Sequence, residues 1–179
     1  MDTLPDYLVE GLEIVFVGLN PSTYSVTEGH YFANPHNRFW VAFNRSGLVD
    51  VETSSDQDSS LLDRRIGFTD LVKRPTSGAS QLSAADYRLG APLLKEKLLR
   101  FQPMVVCFQG LMAYGRYLRY GDGIASKPEL GFQALSIGAS YVYVVPNPSP
   151  ANARFSVDDL AQWYRGLKPL LDQIKDPVV

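Results

Sequence analysis

Short apolar runs that are rich in β-branched residues recur along the chain and predict the strands of a sheet. The first run spans residues 13–17 and ends at Gly18, in a polar loop rich in Asn, Pro, Ser and Thr. A second buried strand is predicted over residues 104–108, with further strands over residues 133–137 and 141–145. Because each run is short and bounded by turn residues, we interpret it as a strand rather than a helix.

Between these runs, apolar residues recur at helical spacing. Asn34 can cap a helix that has Pro35 at its first position and whose aromatic side chains lie in the core. Ser83 and Asp86 resemble a capping box, and four leucines at helical spacing follow them. The predicted helices span residues 34–47, 83–102, 110–120 and 156–171.

Strands that alternate with helices predict an α/β fold, with three αβα layers and a short, largely parallel central sheet. The length suits one domain over residues 1–179, and we interpret the polar stretch 53–60 as a mobile surface loop. Loops that follow parallel strands meet at the carboxyl edge of the sheet. This edge would bring together residues 18–22, 73–76 and 146–154.

The composition excludes several kinds of site. Cys107 is the only cysteine and lies in an apolar run, so neither a disulfide framework nor an iron–sulfur cluster can form within the chain. We expect its thiol to be buried and inert. His30 and His36 are the only histidines, and no other residues of metal-ligand type accompany them. We therefore expect neither a metal nor a cofactor.

Charge and hydropathy narrow the partners and the compartment. A formal net charge of −2 and a pI of about 5.7 argue against a protein that coats polyanions, so any contact with DNA would be local. The N-terminus lacks a signal-peptide pattern, and no apolar run approaches the roughly 18 residues of a membrane span. We expect a monomer in the bacterial cytosol or nucleoid, without a membrane partner.

The tripeptide Asn-Pro-Ser follows two of the predicted strands, at residues 20–22 and 147–149. Each copy offers an amide, a hydroxyl and a stiff proline turn, but neither contains a nucleophile paired with a base. A tight turn would explain either copy alone. Two copies at the same edge of a sheet favour a binding site.

Four segments together resemble the mismatch-specific uracil-DNA glycosylase and thymine-DNA glycosylase family, which is family 2 of the uracil-DNA glycosylase superfamily. They are GLNPS at 18–22, FANPHNRFW at 32–40, GFTDLVKRPT at 67–76 and PNPS at 146–149. The resemblance implies the uracil-DNA glycosylase-like αβα fold. It also implies a monofunctional DNA glycosylase that flips uracil out of DNA, G·U mismatches included, and hydrolyses its N-glycosidic bond to start base excision repair.

The resemblance also implies roles for individual residues. Asn20 would position the water that attacks C1′ of the deoxyribose, and Phe32 would stack on the extruded base, although a core position is the alternative for Phe32. Gly18, Leu19 and Asn147 would bind the edge of the base and favour negative charge on its oxygens. These roles suit a reaction that builds positive charge on the sugar and negative charge on the leaving base.

Asp70 departs from the family pattern, because relatives often carry Lys or Asn at this place. A carboxylate could act as a general base toward the water, or stabilise the cationic sugar, which an amide cannot do. We therefore predict that Asp70 supplements or replaces Asn20 in catalysis. The alternative is an exposed Asp that pairs with Lys73 or Arg74, or that caps a turn.

The loop after the second Asn-Pro-Ser departs from bacterial relatives, in which Gly, a wedge Leu and Arg follow closely. Here residues 150–153 precede Arg154 and include no large apolar side chain. We predict that Pro150 or Ala151 enters the duplex, that Asn152 contacts the orphaned base, and that excision depends weakly on the opposite base. The other predicted contacts with DNA are Ser22, Lys73, Arg74, Ser149 and Arg154, and Arg38 is a further candidate.

Three other interpretations stay open at the level of the sequence. A single-strand-selective branch of the same superfamily also has Pro-Ser-Pro in its second motif, so the DNA partner is either duplex containing uracil or a mismatch, or single-stranded. A nucleotide-binding α/β protein is the second alternative, although neither Gly-x-Gly-x-x-Gly nor Gly-x-x-x-x-Gly-Lys-Ser/Thr occurs. A non-catalytic module that binds an extruded lesion is the third.

Overall fold

A computed structural model describes residues 2–177, and its central sheet has five strands. They are β1 (Ile14–Gly18), β2 (Ile66–Asp70), β3 (Val105–Gln109), β4 (Gly131–Phe132) and β5 (Tyr141–Val145). The strand order is β2-β1-β3-β5-β4. Strands β2, β1, β3 and β5 are parallel, and β4 pairs with β5 in the antiparallel direction. The largely parallel sheet is as predicted.

Helices cover both faces of this sheet. Within residues 2–177 the α-helices are α1 (Thr23–Glu28), α2 (Phe39–Ser46), α3 (Ala84–Phe101), α4 (Leu111–Tyr117), α5 (Val157–Arg165) and α6 (Leu167–Lys175). Two 3₁₀ helices span Ser55–Arg64 and Ala79–Gln81, and a π-helical turn, Leu118–Asp122, extends α4. In this part of the chain no helix has the length and apolar character needed to cross a bilayer.

Strand β1 separates two cores, because successive side chains of a strand point to opposite faces of the sheet. Ile14 and Phe16 pack in a core with residues of α2, α5 and α6, whereas Val15 and Val17 pack in a second core with residues of α3 and α4. All four side chains are fully buried, as expected for a central parallel strand. The predicted three-layer αβα architecture is confirmed.

The start of α3 agrees with its sequence. The Asp86 carboxylate accepts a hydrogen bond from the Ser83 N–H at 2.7 Å, and Ser83 Oγ accepts one from the Asp86 N–H at 3.4 Å. Only two of the four leucines that we predicted at helical spacing are buried. Leu94 is buried, but Leu89 and Leu93 are 69% and 48% exposed.

The helix predicted to start at Asn34 and Pro35 starts instead at Phe39. Asn34 Oδ1 accepts from the N–H of His36 at 2.9 Å, and Asn37 Oδ1 accepts from the N–H of Phe39 at 2.9 Å. Asn37 therefore satisfies the first helical N–H, and the preceding residues form turns. The aromatic side chains of α2 are buried, as predicted.

Residues 53–60, which we predicted to be a mobile surface loop, lie largely in the 3₁₀ helix Ser55–Arg64. A capping box at Ser54 starts this helix. Asp58 is buried and accepts a hydrogen bond from the N–H of Tyr31 at 2.7 Å. The prediction was wrong because small polar residues can cap and anchor a helix as readily as they form a loop.

Three further elements differ from the prediction. The strand predicted over residues 133–137 is absent, because the two-residue strand β4 ends before them at Phe132 and Ile137 forms only an isolated bridge with Ser140. The helix predicted over residues 110–120 is α4 followed by the π-helical turn. The helix predicted over residues 156–171 is interrupted after Arg165. Pro169 explains this break, because it has no N–H to donate to the carbonyl of Arg165.

Candidate active site

The loops after β1 and β2 are joined beyond the carboxyl ends of these strands. The carbonyl oxygens of Gly18 and Leu19 accept hydrogen bonds from the N–H groups of Leu71 and Val72, at 2.9 and 3.0 Å. The two loops therefore form one structural unit. The register of β1 on β2 places the Gly18 N–H in the strand ladder, so the Leu19 N–H is the group favoured for the predicted contact with a base.

The loop after β5 reaches the same edge beside the end of β3. Gly110 follows β3 with a φ of +113°, and a Cβ on this residue would lie 3.0 Å from the Cβ of Asn147. Glycine is required by both the backbone conformation and the close approach. Only β3 lies between the strands that carry the two Asn-Pro-Ser loops.

The Asn20 side chain is held by its amide nitrogen. Nδ2 donates to Thr76 Oγ1 at 2.8 Å and to the carbonyl oxygens of Arg74 and Pro21 at 3.0 and 3.2 Å. No donor within residues 2–177 bonds to Oδ1. The acceptor end of this amide is therefore the end that can hold a water molecule.

The Asn147 side chain is held by the opposite end of its amide. Oδ1 accepts a hydrogen bond from the N–H of Ser149 at 2.9 Å, and the backbone carbonyl of Asn147 accepts one from Asn152 Nδ2 at 3.0 Å. In the described part of the chain, Asn147 Nδ2 donates to nothing. The donor end of this amide can therefore bind a carbonyl oxygen of a base.

Arg38, the residue before α2, holds the loop after β5 in place. Its guanidinium donates to four carbonyl oxygens of that loop, which belong to Pro148, Ser149, Asn152 and Phe155. The first three of these bonds are 3.3, 2.9 and 2.7 Å long. The Arg38 backbone N–H also donates to Pro148, at 3.2 Å. The cation is therefore engaged by the protein, whereas we had considered a contact with phosphate.

Asp70 ends β2 with its carboxylate against the end of β1. A Cβ on the neighbouring Gly18 would lie 2.4 Å from Asp70 Oδ1, so glycine is needed for the carboxylate to fit. Asp70 is 5% exposed, and its Oδ2 is buried without a hydrogen-bond partner in the described chain. Burial raises the pKa of Asp70 to about 7. Asp70 is therefore not exposed, as the alternative required, although the pairing with Lys73 that it included is present at 3.8 Å. With this pKa the carboxyl group can exchange a proton near neutral pH.

Lys73 connects Asp70 to a charged network. Its Nζ lies 3.8 Å from Asp70 Oδ2, 2.8 Å from Asp6 Oδ1 and 3.2 Å from the Tyr31 hydroxyl. Lys97 Nζ reaches the second oxygen of Asp6 at 2.5 Å. Burial is the largest influence on the pKa of Asp70, while Lys73 lowers it and Asp6 raises it. Lys73 is thus a shared and incomplete counterion for Asp70.

Phe32 has a left-handed backbone conformation, with a φ of +52°, which is rare for a large side chain. Its ring stacks on Phe39 with centroids 4.2 Å apart and planes inclined by 17°. The bond from Tyr31 N–H to the buried Asp58 fixes the preceding residue. One face of the half-buried Phe32 ring packs on the core, so a base would have to stack on the other face.

The cations predicted to bind phosphate differ in their surroundings. Lys73 lies in the network described above, and Arg74 forms an ion pair with Asp86 at 2.7 Å. Arg154 is exposed and lies over the ring of Phe155 at 5.5 Å. Of these three cations, Arg154 alone has no carboxylate partner within residues 2–177.

The other predicted DNA contacts lie on the two Asn-Pro-Ser loops. Ser22 caps α1 through its side chain, and Ser149 Oγ accepts from the N–H of Ala151 at 3.3 Å. Pro150 and Ala151 are exposed at the tip of the second loop, where we predicted the wedge. Asn152 is half-buried, and one N–H of its side-chain amide is bonded within its own loop, so this bond restricts how the side chain can contact an orphaned base.

The sequence analysis missed Asp6 and Asp58, which help to hold the site, and it missed that Arg38 binds the loop after β5. Asp6 and Asp58 lie far along the chain from Lys73 and Tyr31, their partners. No local pattern marks such pairs. For Arg38, the available signal was its position directly before an aromatic helix in the FANPHNRFW segment.

Other candidate groups lie outside this arrangement. His30 Nδ1 lies 3.1 Å from Asp58 Oδ1, and His36 is exposed. Cys107 is a buried free thiol, as predicted, and burial raises its pKa well above the usual value. Between residues 2 and 177, no three His, Cys, Asp or Glu side chains are grouped as metal ligands.

Comparison with known proteins identifies relatives of this chain. The family model described as the Uracil DNA glycosylase superfamily matches residues 5–168. Among solved structures, the fold is similar to the solution NMR structure of a "putative Uracil DNA glycosylase" from Methanosarcina acetivorans, with a TM-score of 0.57 and 26% identity. The match covers 93% of this chain and 97% of that chain. Both Asn-Pro-Ser loops and Asp70 lie within the region that the family model matches.

Proposed function

The chain belongs to the uracil DNA glycosylase superfamily, and from this premise we propose that it is a monofunctional glycosylase that removes uracil from DNA. It flips the uracil nucleotide out of the helix and hydrolyses the bond between uracil N1 and deoxyribose C1′, which starts base excision repair. One observation carries the proposal: Asn20 and Asn147, at one edge of the sheet, present opposite ends of their amides.

Asn20 and Asp70 act on the attacking water. Asn20 Oδ1 accepts a hydrogen bond from the water and orients it, because the other end of the amide is fixed by Thr76, Arg74 and Pro21. The water oxygen forms a bond with C1′ as the bond from C1′ to N1 breaks. Asp70 takes the proton that the water loses, which an amide cannot do.

Asn147 acts on the leaving base. The electron pair of the broken bond leaves with uracil, so negative charge develops on its ring and carbonyl oxygens. The free Nδ2 group of Asn147 donates to one of these oxygens, and its position is preset by the bond between Oδ1 and Ser149. A donor that is fixed before the charge develops stabilises the transition state without reorganisation.

Phe32 offsets part of the cost of base flipping. Unpairing and unstacking a base costs a few kcal/mol, and less at a mismatch. Stacking of a base on an aromatic ring returns about 1–3 kcal/mol. The Phe32 ring is held by Phe39 on its other face, so this surface exists before DNA binds.

The finer specificity follows from the second loop. The four family-like segments support membership of the mismatch-specific branch, with G·U among the substrates. The loop tip, however, presents Pro150 and Ala151 in place of a large apolar wedge, and Asn152 is turned back into its loop. We therefore propose that the opposite base contributes little, so that uracil paired with A or in single strands is also removed.

A panel of labelled oligonucleotides tests this proposal. Uracil is placed opposite G, opposite A or in a single strand, and free base and alkali-labile sites are measured under single-turnover conditions. The wild type should release uracil from all three and leave the strand intact before alkali treatment. Asn20→Ala and Asp70→Ala should slow release, while Asp63→Ala, an exposed carboxylate elsewhere, should not.

Two results would overturn parts of the proposal. Tight binding of uracil-containing DNA without base release indicates a lesion-binding module rather than an enzyme. Release that is confined to G·U contradicts the weak dependence on the opposite base.

A further inference from the structure

The cations first expected to bind DNA are largely engaged within the protein. Arg38 donates to four carbonyl oxygens, Lys73 is paired with Asp6, and Arg74 is paired with Asp86. A protein with a formal net charge of −2 nevertheless needs local positive charge to hold a DNA backbone. We therefore searched the described surface for arginines without acidic partners.

Three such arginines gather on the outer face of α3, α4 and the π-helical turn that follows α4. Arg88, Arg116 and Arg119 form no ion pair with any carboxylate in residues 2–177. The nearby Asp122 is instead paired with Lys95 at 2.8 Å. The face therefore carries unneutralised positive charge in a chain that is acidic as a whole.

Two stacked tyrosines hold these guanidinium groups. The rings of Tyr87 and Tyr120 have centroids 5.8 Å apart and planes inclined by 18°. Arg116 lies over Tyr87 at 5.1 Å, and Arg119 and Arg88 lie over Tyr120 at 5.5 and 6.0 Å. Stacking restricts the side chains while their N–H groups stay available, so less entropy is lost when an anion binds.

A groove runs beside this stack. It has a volume of about 530 Å³ and is lined by residues that include Met112, Arg116, Arg119 and Ser126. Met112 is exposed and Ser126 is exposed, so the groove opens to solvent. We name Arg88, Arg116, Arg119 and this groove the arginine face.

The arginine face is next to the candidate active site. Helix α3 begins close to Arg74, since Arg74 pairs with Asp86 in its first turn, and α4 begins directly after Gly110, which packs on Asn147. At about 1.5 Å per residue, Arg116 lies about 8 Å along α4 from this edge. At about 3.4 Å per base pair, that distance corresponds to two or three base pairs of DNA.

We propose that the arginine face binds phosphates of duplex DNA on one side of the flipped nucleotide. The inference rests on the proposed function, and it assigns a DNA surface to residues outside the two Asn-Pro-Ser loops and outside every contact predicted from the sequence. Backbone phosphates fit the chemistry, because guanidinium groups bind them at two points and the nearby Asp122 is already paired with Lys95.

Binding of undamaged duplex tests this inference. Fluorescence anisotropy compares the wild type with Arg116→Gln/Arg119→Gln and with Arg100→Gln/Lys168→Gln, which removes the same charge from exposed positions at the far end of α3 and on α6. Loss of two phosphate contacts should weaken binding about tenfold or more and reduce the slope of log K against log salt by about two. The control pair should change binding less than about twofold.

A second arm locates the face on the DNA. The duplex is shortened on either side of a single uracil, and the affinity of the wild type should fall when one particular side drops below about three base pairs. Arg116→Gln/Arg119→Gln should lose this dependence. Thermal melting checks that the variants are folded, which is expected because neither Arg116 nor Arg119 forms an ion pair within residues 2–177.

Three outcomes overturn the inference. Equal weakening by the two double variants means that net charge acts rather than a surface. An unchanged Kd of the Arg116→Gln/Arg119→Gln variant for duplex DNA means that the face does not touch DNA. If this variant binds single-stranded RNA more weakly but duplex DNA as well as the wild type does, the face belongs to another nucleic acid. These readouts use binding, so a protein that binds through this face yet releases no uracil would contradict the proposed function and not this inference.

Discussion

The two loops share the sequence Asn-Pro-Ser, but their asparagine side chains present opposite hydrogen-bonding groups. In the first, Asn20 is fixed through its donor end and presents an acceptor, whereas in the second, Asn147 is fixed through its acceptor end and presents a donor. The hydrogen-bonding groups next to each amide determine which end is fixed. Thr76 supplies an acceptor to the first amide, and the Ser149 N–H supplies a donor to the second.

The loops also differ in how their backbones are held. The first continues the hydrogen-bond ladder between β1 and β2, through the bonds of Gly18 and Leu19 with Leu71 and Val72. The second lies beyond β5 and depends on the guanidinium of Arg38. The first loop is therefore fixed by the sheet itself, and the second by one long side chain from α2.

The largest expected effect is that of Asn147→Asp. The Asp side chain keeps an oxygen for the Ser149 N–H, so the loop should keep its shape, but it replaces a donor with a negative charge beside the leaving base. Uracil release should slow by about 100- to 1,000-fold. Single-turnover kinetics and thermal melting measure the two properties separately.

Asn37→Asp is the matched control, because Asn37 Oδ1 also accepts from a backbone N–H two residues later. It should leave release within about twofold of the wild type. Equal activity of Asn147→Asp and wild type would show that the free amide end does not contact the base.

The same substitution at Asn20 should act differently. Asn20→Asp removes the donor to Thr76, Arg74 and Pro21, so it should lower the free energy of unfolding by about 1–3 kcal/mol and slow release by about 100-fold through misplacement of the water. Denaturant unfolding measures the first effect. A stability equal to that of Asn147→Asp would remove the contrast between the loops.

Arg38→Gln should loosen the second loop and spare the first. The loss of charged hydrogen bonds to four carbonyl oxygens should cost about 2 kcal/mol of stability and about tenfold in release, since the Asn147 donor is no longer fixed. Hydrogen exchange should increase in residues 148–155 only. Unchanged exchange in this loop would contradict the role of Arg38 as its support.

Lys73→Met gives the smallest effect and separates two roles for this cation. As a counterion, Lys73 lowers the pKa of Asp70, so its removal raises that pKa further. A rise of about one unit slows release about fivefold at pH 7 and moves the rising limb of the pH profile to higher pH. Lys168→Met, on the surface of α6, is the control.

A phosphate contact, the role that we predicted for Lys73 from the sequence, gives another result. Affinity for DNA would then fall equally at every pH, and the midpoint of the profile would not move. The midpoint of the pH profile therefore distinguishes the two roles.

The sequence predicted what depends on periodicity and on strand ends. Short apolar runs located β1, β3 and β5, and the position of the polar loops after them indicated the carboxyl edge where Asn20 and Asn147 lie. The capping box at Ser83 was readable because both partners are three residues apart. Such features are predictable because each depends only on residues that are close together in the sequence.

The sequence could not predict features that depend on distant partners. Whether Asn34 or Asn37 satisfies the first N–H of α2 is decided by the path of the turn before it. Asp58 belongs to a polar stretch typical of a loop, yet it is buried because Tyr31 offers it an N–H. Which end of the Asn20 and Asn147 amides is free likewise depends on their neighbours in the fold.

The central claim is that Asp70 accepts the proton of the attacking water at this edge, and the pH dependence of release tests it. Only the ionised carboxylate accepts a proton, so the single-turnover rate of uracil release should rise as the pH increases through about 7 and then level off. In Asp70→Asn the rise should disappear and the plateau should fall by about 100-fold or more. The same rate and the same profile in Asp70→Asn would contradict the account.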